Sequence, residues 1–303
     1  MGARRFVGRT AKDGMDTSVA PLIEQLVDTD RYPLARPDSP AWAEAVDRVR
    51  RDLDGQGCSV LPNFVRSSRH EDLRREGAEM APHAHYDVET VNAYNIPTDA
   101  PLPADHPGRI TMRRRNAFVA RDHVPPDSIL GGLYSDGHFQ RFLAACFDLP
   151  EIHELADPLA GLVLNVVRPG MDHPWHFDTN EFAVTLLTQA PESGGEFEYC
   201  PGIRSAEDEN FADVSAVLRG GGTDLVHTLT LRPGDLQLFR GRFSLHRVTP
   251  VEGNTDRHSA IFAYSARPGV IGSVSRTRQI FGRVLPEHLA AEGHAVRGDQ
   301  LLD

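Results

Sequence analysis

The stretch His176-Phe177-Asp178-Thr179-Asn180-Glu181-Phe182-Ala183-Val184-Thr185-Leu186-Leu187-Thr188 carries the reading of this chain. It opens with the pattern H-x-D and runs into a β-rich segment from Phe182 to Thr188. In an extended chain, residues i and i+2 point the same way. His176 and Asp178 can therefore reach one metal ion from one strand, with Phe177 turned to the other side. Downstream come His246 and then Arg257-His258-Ser259. Two neutral imidazoles and one carboxylate on one face of an iron leave the opposite positions open. That arrangement suits non-haem Fe(II) centres, which bind a co-substrate and O2 on the same ion. Arg257 offers a planar, permanently charged fork of donors for a carboxylate, and Ser259 shares its face of the strand.

The surrounding segments read as strands and turns. Leu231 to Phe239 is a Pro233-Gly234-Asp235 turn followed by alternation, and it leads through Gly241 to Leu245 and on to His246. Leu162 to Val167 is an apolar run with Asn165 inside it. Gly194-Gly195 turns into Glu196 to Tyr199. Together these segments predict a mainly β core. A zinc site on His173 and His176 is a competing reading, but Pro174 argues against the helix that H-x-x-H spacing needs.

These motifs are similar to those of the Fe(II)/2-oxoglutarate-dependent dioxygenases. The pieces that match are His176-Phe177-Asp178, Gly194-Gly195-Glu196-Phe197, Pro233-Gly234-Asp235, His246 and Arg257-His258-Ser259, spread over residues 160–270. Asp105-His106-Pro107, Leu133-Tyr134 and His173-Pro174-Trp175-His176 resemble a bacterial subgroup acting on free amino acids. Some members of that subgroup are halogenases in which Gly replaces the metal-binding Asp. The resemblance implies a double-stranded β-helix, a cupin-like jelly roll of two facing sheets, flanked by helices. It also implies Fe(II) on His176, Asp178 and His246, with 2-oxoglutarate and O2 as co-substrates. The far carboxylate of 2-oxoglutarate would lie on Arg257 and Ser259, with Asn165 a further candidate contact or a structural hydrogen-bonding group. The implied reaction is hydroxylation of an unactivated C–H bond of a small metabolite, most simply a free amino acid or its derivative, with release of succinate and CO2. Because Asp178 is present where the halogenases have Gly, hydroxylation is expected over halogenation. Desaturation, ring closure, hydroxylation of a protein or peptide, and a metal-binding jelly roll without turnover stay open.

Composition agrees with one enzyme-sized unit. The chain has 303 residues, 40% hydrophobic and 25% charged, with a net charge of −11. That charge argues against general affinity for nucleic acid or anionic membranes. Lys12 is the sole lysine, so arginine supplies nearly all the positive charge. Cys58, Cys146 and Cys200 form no C-x-x-C and no even framework, as expected of reduced thiols. No apolar run is long enough to span a membrane. The first residues lack an apolar signal core, and a cytoplasmic setting is the expectation.

Along the chain, residues 1–20 are expected to be disordered. Residues 21–110 are read as a helical and loop extension packed on the core, residues 111–290 as the core itself, and 291–303 as a tail. Helices are predicted from Pro40 to Leu53, from Ser67 to Met80 and from Ser128 to Phe147, and a helix or loop from Ala206 to Leu218. Candidate substrate contacts are His173, ahead of the first metal ligand, Thr179, Asn180 and Glu181 behind it, and Arg113 and Arg115 for a substrate carboxylate. Trp175 and Tyr134 are read as packing residues.

Overall fold

The computed structural model describes residues 22–293 and 301–302. The expected disordered segment 1–20 lies outside them, as does most of the tail 291–303. Helix α1 (Pro40–Gln56) starts where the sequence signals it. Ser39 caps it by accepting the Trp42 N–H, and Pro40 supplies a pre-set φ at the first turn. It runs a turn beyond Leu53 and ends at Gly57, whose φ of +64° is the left-handed conformation that glycine adopts without penalty. The chain then reverses directly into strand β1 (Cys58–Leu61). The expected helix from Ser67 begins as a single 3-10 turn and becomes α2 (His70–Met80). The expected helix from Ser128 to Phe147 is two helices, Ile129–Tyr134 and α3 (Gly137–Cys146). Asp136 breaks it by capping α3 through the His138 and Phe139 N–H groups.

Two antiparallel sheets form the core. The larger contains β1, β2 (His85–Tyr86), β3 (Ala117–Val119), β4 (Leu162–Val167), β6 (Ala183–Gln189), β9 (Leu236–Phe239) and β11 (Arg257–Phe262), in the order β1-β9-β6-β11-β4-β3-β2. The smaller runs β8-β7-β10-β5, from β5 (His173–His176), β7 (Phe197–Cys200), β8 (His227–Leu229) and β10 (Leu245–Val248). Both edge strands of the large sheet come from residues 21–110, so this segment is woven into the core sheet as well as packed on it.

The large sheet is covered on both faces, which is why Leu162 to Val167 reads as a continuous apolar run. Leu162, Leu164, Val166, Val184, Leu186, Leu236, Leu238, Ala260 and Phe262 join the helices in one buried cluster with Val46, Leu53, Leu73, Phe139 and Phe142. The alternate residues, among them Val163, Asn165, Thr185, Gln237, Arg257 and Ser259, line a cavity that residues of the smaller sheet also line. Burial of the helix-facing side chains holds the large sheet rigid, and period-2 alternation then fixes which polar groups face the cavity. After the core, α4 (Phe211–Leu218) fills the expected insertion, and α5 (Val274–Phe281) follows β11 and closes one side of the cavity.

Candidate metal centre

β5 and β10 are neighbours in the smaller sheet, and their register sets His176 directly opposite His246. Each imidazole is held the same way. His176 Nδ1 lies 2.8 Å from the Pro174 carbonyl, and His246 Nδ1 lies 2.9 Å from the Ser244 carbonyl. A carbonyl can only accept, so Nδ1 carries the proton in both rings and Nε2 keeps its lone pair. Both Nε2 atoms face Asp178, whose Oδ1 lies 3.8 Å from His176 and 3.5 Å from His246. Ligand atoms bonded to one ion at about 2.0–2.2 Å lie within about 4.4 Å of one another, so these distances suit a single shared ion. Among the described residues this is the one cluster of metal-ligating side chains.

Asp178 departs in one respect from the sequence expectation. It does not share a strand with His176, because β5 ends at His176 and the chain leaves the sheet. The Phe177 N–H turns to the Ala93 carbonyl at 2.8 Å and the Asp178 N–H to the Gly241 carbonyl at 3.1 Å. The i, i+2 parity nevertheless survives, since Phe177 is buried on the far side among Tyr94, Trp175 and Leu245.

The electrostatics favour metal-ready protonation states. Burial holds the His176 pKa well below the ordinary histidine value, helped by His173 and His246 and opposed by Asp178. Burial alone would raise Asp178, but its electrostatic surroundings, the two imidazoles and the Arg276 guanidinium, outweigh it and hold the carboxyl below its usual range. His176 is thus poised as neutral imidazole and Asp178 as carboxylate, the forms that bind a cation.

On the facing sheet, Arg257 is 4% exposed, and burial lowers its pKa to about 10. Its Nη1 donates to Ser259 Oγ at 3.1 Å, and no carboxylate pairs with it among the described residues. A buried guanidinium without a counter-charge is costly, so the site fits an anion that arrives as a ligand. Asn165 pairs with Ser259 across the strands and accepts from Asn116 Nδ2 at 2.9 Å. Arg257, Ser259 and Asn165 share one cavity of about 180 Å³ with His176, Asp178 and His246. A second chamber of about 420 Å³ adjoins it, and Ala160, Thr179, Asn180, Arg276, Ile280 and Phe281 line both.

The candidate substrate residues separate. His173 lines the inner cavity, its ring stacked 4.0 Å from that of His176. Thr179 lines both chambers. Arg113, Arg115 and Glu181 line neither. Strand alternation in Thr111–Arg114 buries Arg114 and turns Arg113 outward. Arg115 follows that strand and pairs with Asp172 at 2.8 Å. Glu181 is exposed on the loop ahead of β6. Trp175 and Tyr134 pack as expected: Arg247 lies over the Trp175 ring at 4.7 Å, and Tyr134 donates to the Ala263 carbonyl at 2.9 Å. The sequence reading missed Gln237, Arg276 and Gly241, whereas Asn180, like Thr179, lines both chambers. Arg276 lies beyond the last core strand, where no local pattern ties it to the centre. Gly241 had a weak signal, a glycine in the run before His246. Its importance is spatial, because a Cβ built there would sit 1.8 Å from Asp178 Oδ2.

Comparison with known proteins adds to this geometry. The family model described as halogenase D matches residues 108–279, which include every residue of the centre. The chain belongs to the halogenase D family. No curated protein matches the sequence. Among solved structures, the α-ketoglutarate-dependent epimerase SnoN from nogalamycin biosynthesis is similar, with a TM-score of 0.52 and 13% identity over 73% of this chain and 83% of that one. An oxidoreductase of the 2OG-Fe(II) oxygenase family from Burkholderia pseudomallei has a TM-score of 0.48 and 16% identity over 74% and 92%. This halogenase D family member therefore has the jelly-roll fold of the 2-oxoglutarate/Fe(II) oxygenases. Unlike the Gly-containing halogenases considered above, it keeps a carboxylate, Asp178, between its two histidines in space.

Proposed function

We propose that this chain is an Fe(II)- and 2-oxoglutarate-dependent oxygenase that hydroxylates an unactivated C–H bond of a small metabolite, a free amino acid or amino-acid derivative, with release of succinate and CO2. One observation carries the reading. A His176/Asp178/His246 cluster and an uncompensated buried Arg257 face one small cavity from opposite sheets. Iron, 2-oxoglutarate and O2 supply the oxidising chemistry when bound; the protein supplies placement and dryness. His176, Asp178 and His246 hold the ion from one side. Arg257 and Ser259 take the far carboxylate of 2-oxoglutarate and so fix its keto-acid end toward the ion. The two backbone carbonyls at Pro174 and Ser244 keep both imidazoles in the coordinating tautomer. Phe197, Phe239 and Val248 form an apolar flank that excludes bulk water from the cavity.

Several features support a small substrate. The 420 Å³ chamber adjoins the cavity of the centre, bounded by Asn95–Pro97 on one side and α5 on the other. Arg276, on α5, lines both chambers and suits a carboxylate. His173 and Thr179 stand where a substrate would meet the ion. Hydroxylation is favoured over halogenation because Asp178 fills the position that a halide would need. A cytoplasmic setting belongs to the same reading, supported by three buried, unpaired cysteines. The test is succinate release from the iron-loaded protein across the free amino acids, with mass spectrometry of the products. Succinate that depends on Fe(II), 2-oxoglutarate and O2, with a product 16 mass units heavier, supports hydroxylation. A protein that binds iron and 2-oxoglutarate but turns over none of the panel refutes the substrate class and leaves the cofactor class standing.

A further inference from the structure

Phe177, between the two metal ligands, lies against an arginine that the proposed reaction does not use. Arg204 is a fully buried guanidinium whose Cζ sits 3.8 Å from the Phe177 ring centroid. Its other bonds reach the loop that borders the centre, Glu209, and residue 302. Its N–H donates to the Phe243 carbonyl at 3.2 Å, and its Nε donates to the Arg242 carbonyl at 2.8 Å. That loop also supplies the Gly241 carbonyl that accepts from Asp178, and it leads into His246. Arg204 Nη1 pairs with Glu209 at 2.9 Å and donates to the Leu302 carbonyl at 3.2 Å, while the Leu302 N–H donates to Glu209 at 2.7 Å. Leu301 is buried and Leu302 packs beside Tyr94, Trp175 and Phe177.

A buried ion pair is a poor way to stabilise a core, since apolar residues of equal volume usually do as well or better. What a planar guanidinium adds is direction. It stacks on an aromatic face while its edges satisfy several acceptors at once. We propose that Arg204 is a positioning residue for the metal centre: it clamps Phe177 against the 241–243 loop, and the Leu301–Leu302 segment holds the clamp in place. The H-x-D turn, the approach to His246 and the end of the described chain are then one mechanical unit. Loosening any of the three moves Asp178 relative to the two imidazoles.

The inference rests on the metal reading, and the experiment separates the two. Fe(II) affinity is measured anaerobically by chelator competition for the native protein, Arg204→Met, Arg204→Lys, Phe177→Leu, the Phe177→Leu/Arg204→Met double variant and a chain ended after Gln300. The melting temperature of each metal-free protein is recorded alongside. Native protein that fails to bind Fe(II) refutes the metal reading itself. Given native binding, Arg204→Met and Phe177→Leu should each weaken iron by roughly 10–100-fold, the range for groups that orient metal ligands. The double variant should lose no more than the worse single variant, because both break one contact. Arg204→Lys should not rescue, since an ammonium cannot stack and fork together, and the shortened chain should shift in the same direction. Native affinity in Arg204→Met, or losses that multiply in the double variant, overturns the proposal. Should Arg204→Met fail to fold, Phe177→Leu and the shortened chain carry the test, and unchanged iron affinity in both overturns it.

Discussion

Replacing Gly241 by alanine adds one methyl group and tests the centre at its tightest point. Gly241 does not use the left-handed region, so alanine fits its backbone. The new Cβ would stand 1.8 Å from Asp178 Oδ2, 2.6 Å from Cγ and 3.0 Å from Cβ. An ordinary contact needs about 3.4 Å or more, so the carboxylate end must retreat by roughly 1.6 Å. Metal–ligand bonds tolerate displacements of only about 0.2 Å. The carboxylate is the mobile end of a side chain, so the protein yields there and not in the backbone. Gly241→Ala should therefore keep the metal-free fold while losing a ligand, weakening Fe(II) by about a hundredfold or more, near 3 kcal/mol. Anaerobic iron titration reads the affinity, and circular dichroism with a thermal melt reads the fold. Native iron affinity in a folded Gly241→Ala protein would refute the placement of Asp178 on the ion. Loss of the fold in the metal-free protein would refute the claim that the side chain absorbs the clash.

Further outcomes follow from the same geometry. His176→Ala, Asp178→Ala and His246→Ala should each abolish succinate release and weaken iron binding, and full activity with iron retained in any of them removes that residue from the ligand set. Arg257→Met should raise the 2-oxoglutarate midpoint of the anaerobic Fe(II) absorbance band by roughly a hundredfold or more, because a buried carboxylate that loses its charged partner costs about 3–5 kcal/mol; an unchanged midpoint means another residue is the clamp. Product analysis in chloride-rich buffer should show the hydroxylated compound alone, and a chlorinated product from the native protein would mean that Asp178 does not occupy the iron. Burial depresses the pKa values of His173 and His176 in the folded state, so as pH falls below about 6.5 the unfolded chain binds protons that the folded one does not. The stability of the metal-free protein should thus be fully present above that pH and decline below it. His173→Gln should remove up to about 1.4 kcal/mol per pH unit of the slope, as measured by denaturant titration between pH 7 and 5, and an unaltered slope contradicts the burial of a neutral His173.

The His176/Asp178/His246 cluster, the Arg257–Ser259 pair and the β-rich core were legible in the sequence for a physical reason. Arg257 and Ser259 announce a shared face through i, i+2 spacing, which a strand imposes locally, and His176 and Asp178 keep the same parity although Asp178 lies beyond the strand. Helix α1 was legible because Ser39, Pro40 and Gly57 mark its ends with local hydrogen bonding and backbone preference. The boundary errors share one cause: strand ends and helix breaks depend on which distant acceptor the backbone finds. Asp178 leaves β5 because its N–H meets Gly241, more than sixty residues away in sequence. The same limit governed the substrate residues. Three consecutive arginines look alike in sequence, and only the sheet register decided that Arg114 is buried, Arg113 exposed and Arg115 paired with Asp172. Arg276 and Arg204 carry no local signature, and Gly241 only a weak one. They matter because the packing of α5, the 241–243 loop and residues 301–302 brings them to the centre. Local chemistry and spacing determined which groups can hold the ion and its co-substrate; tertiary packing decided which other groups surround them, because close approach across long sequence separations is a property of the folded core alone.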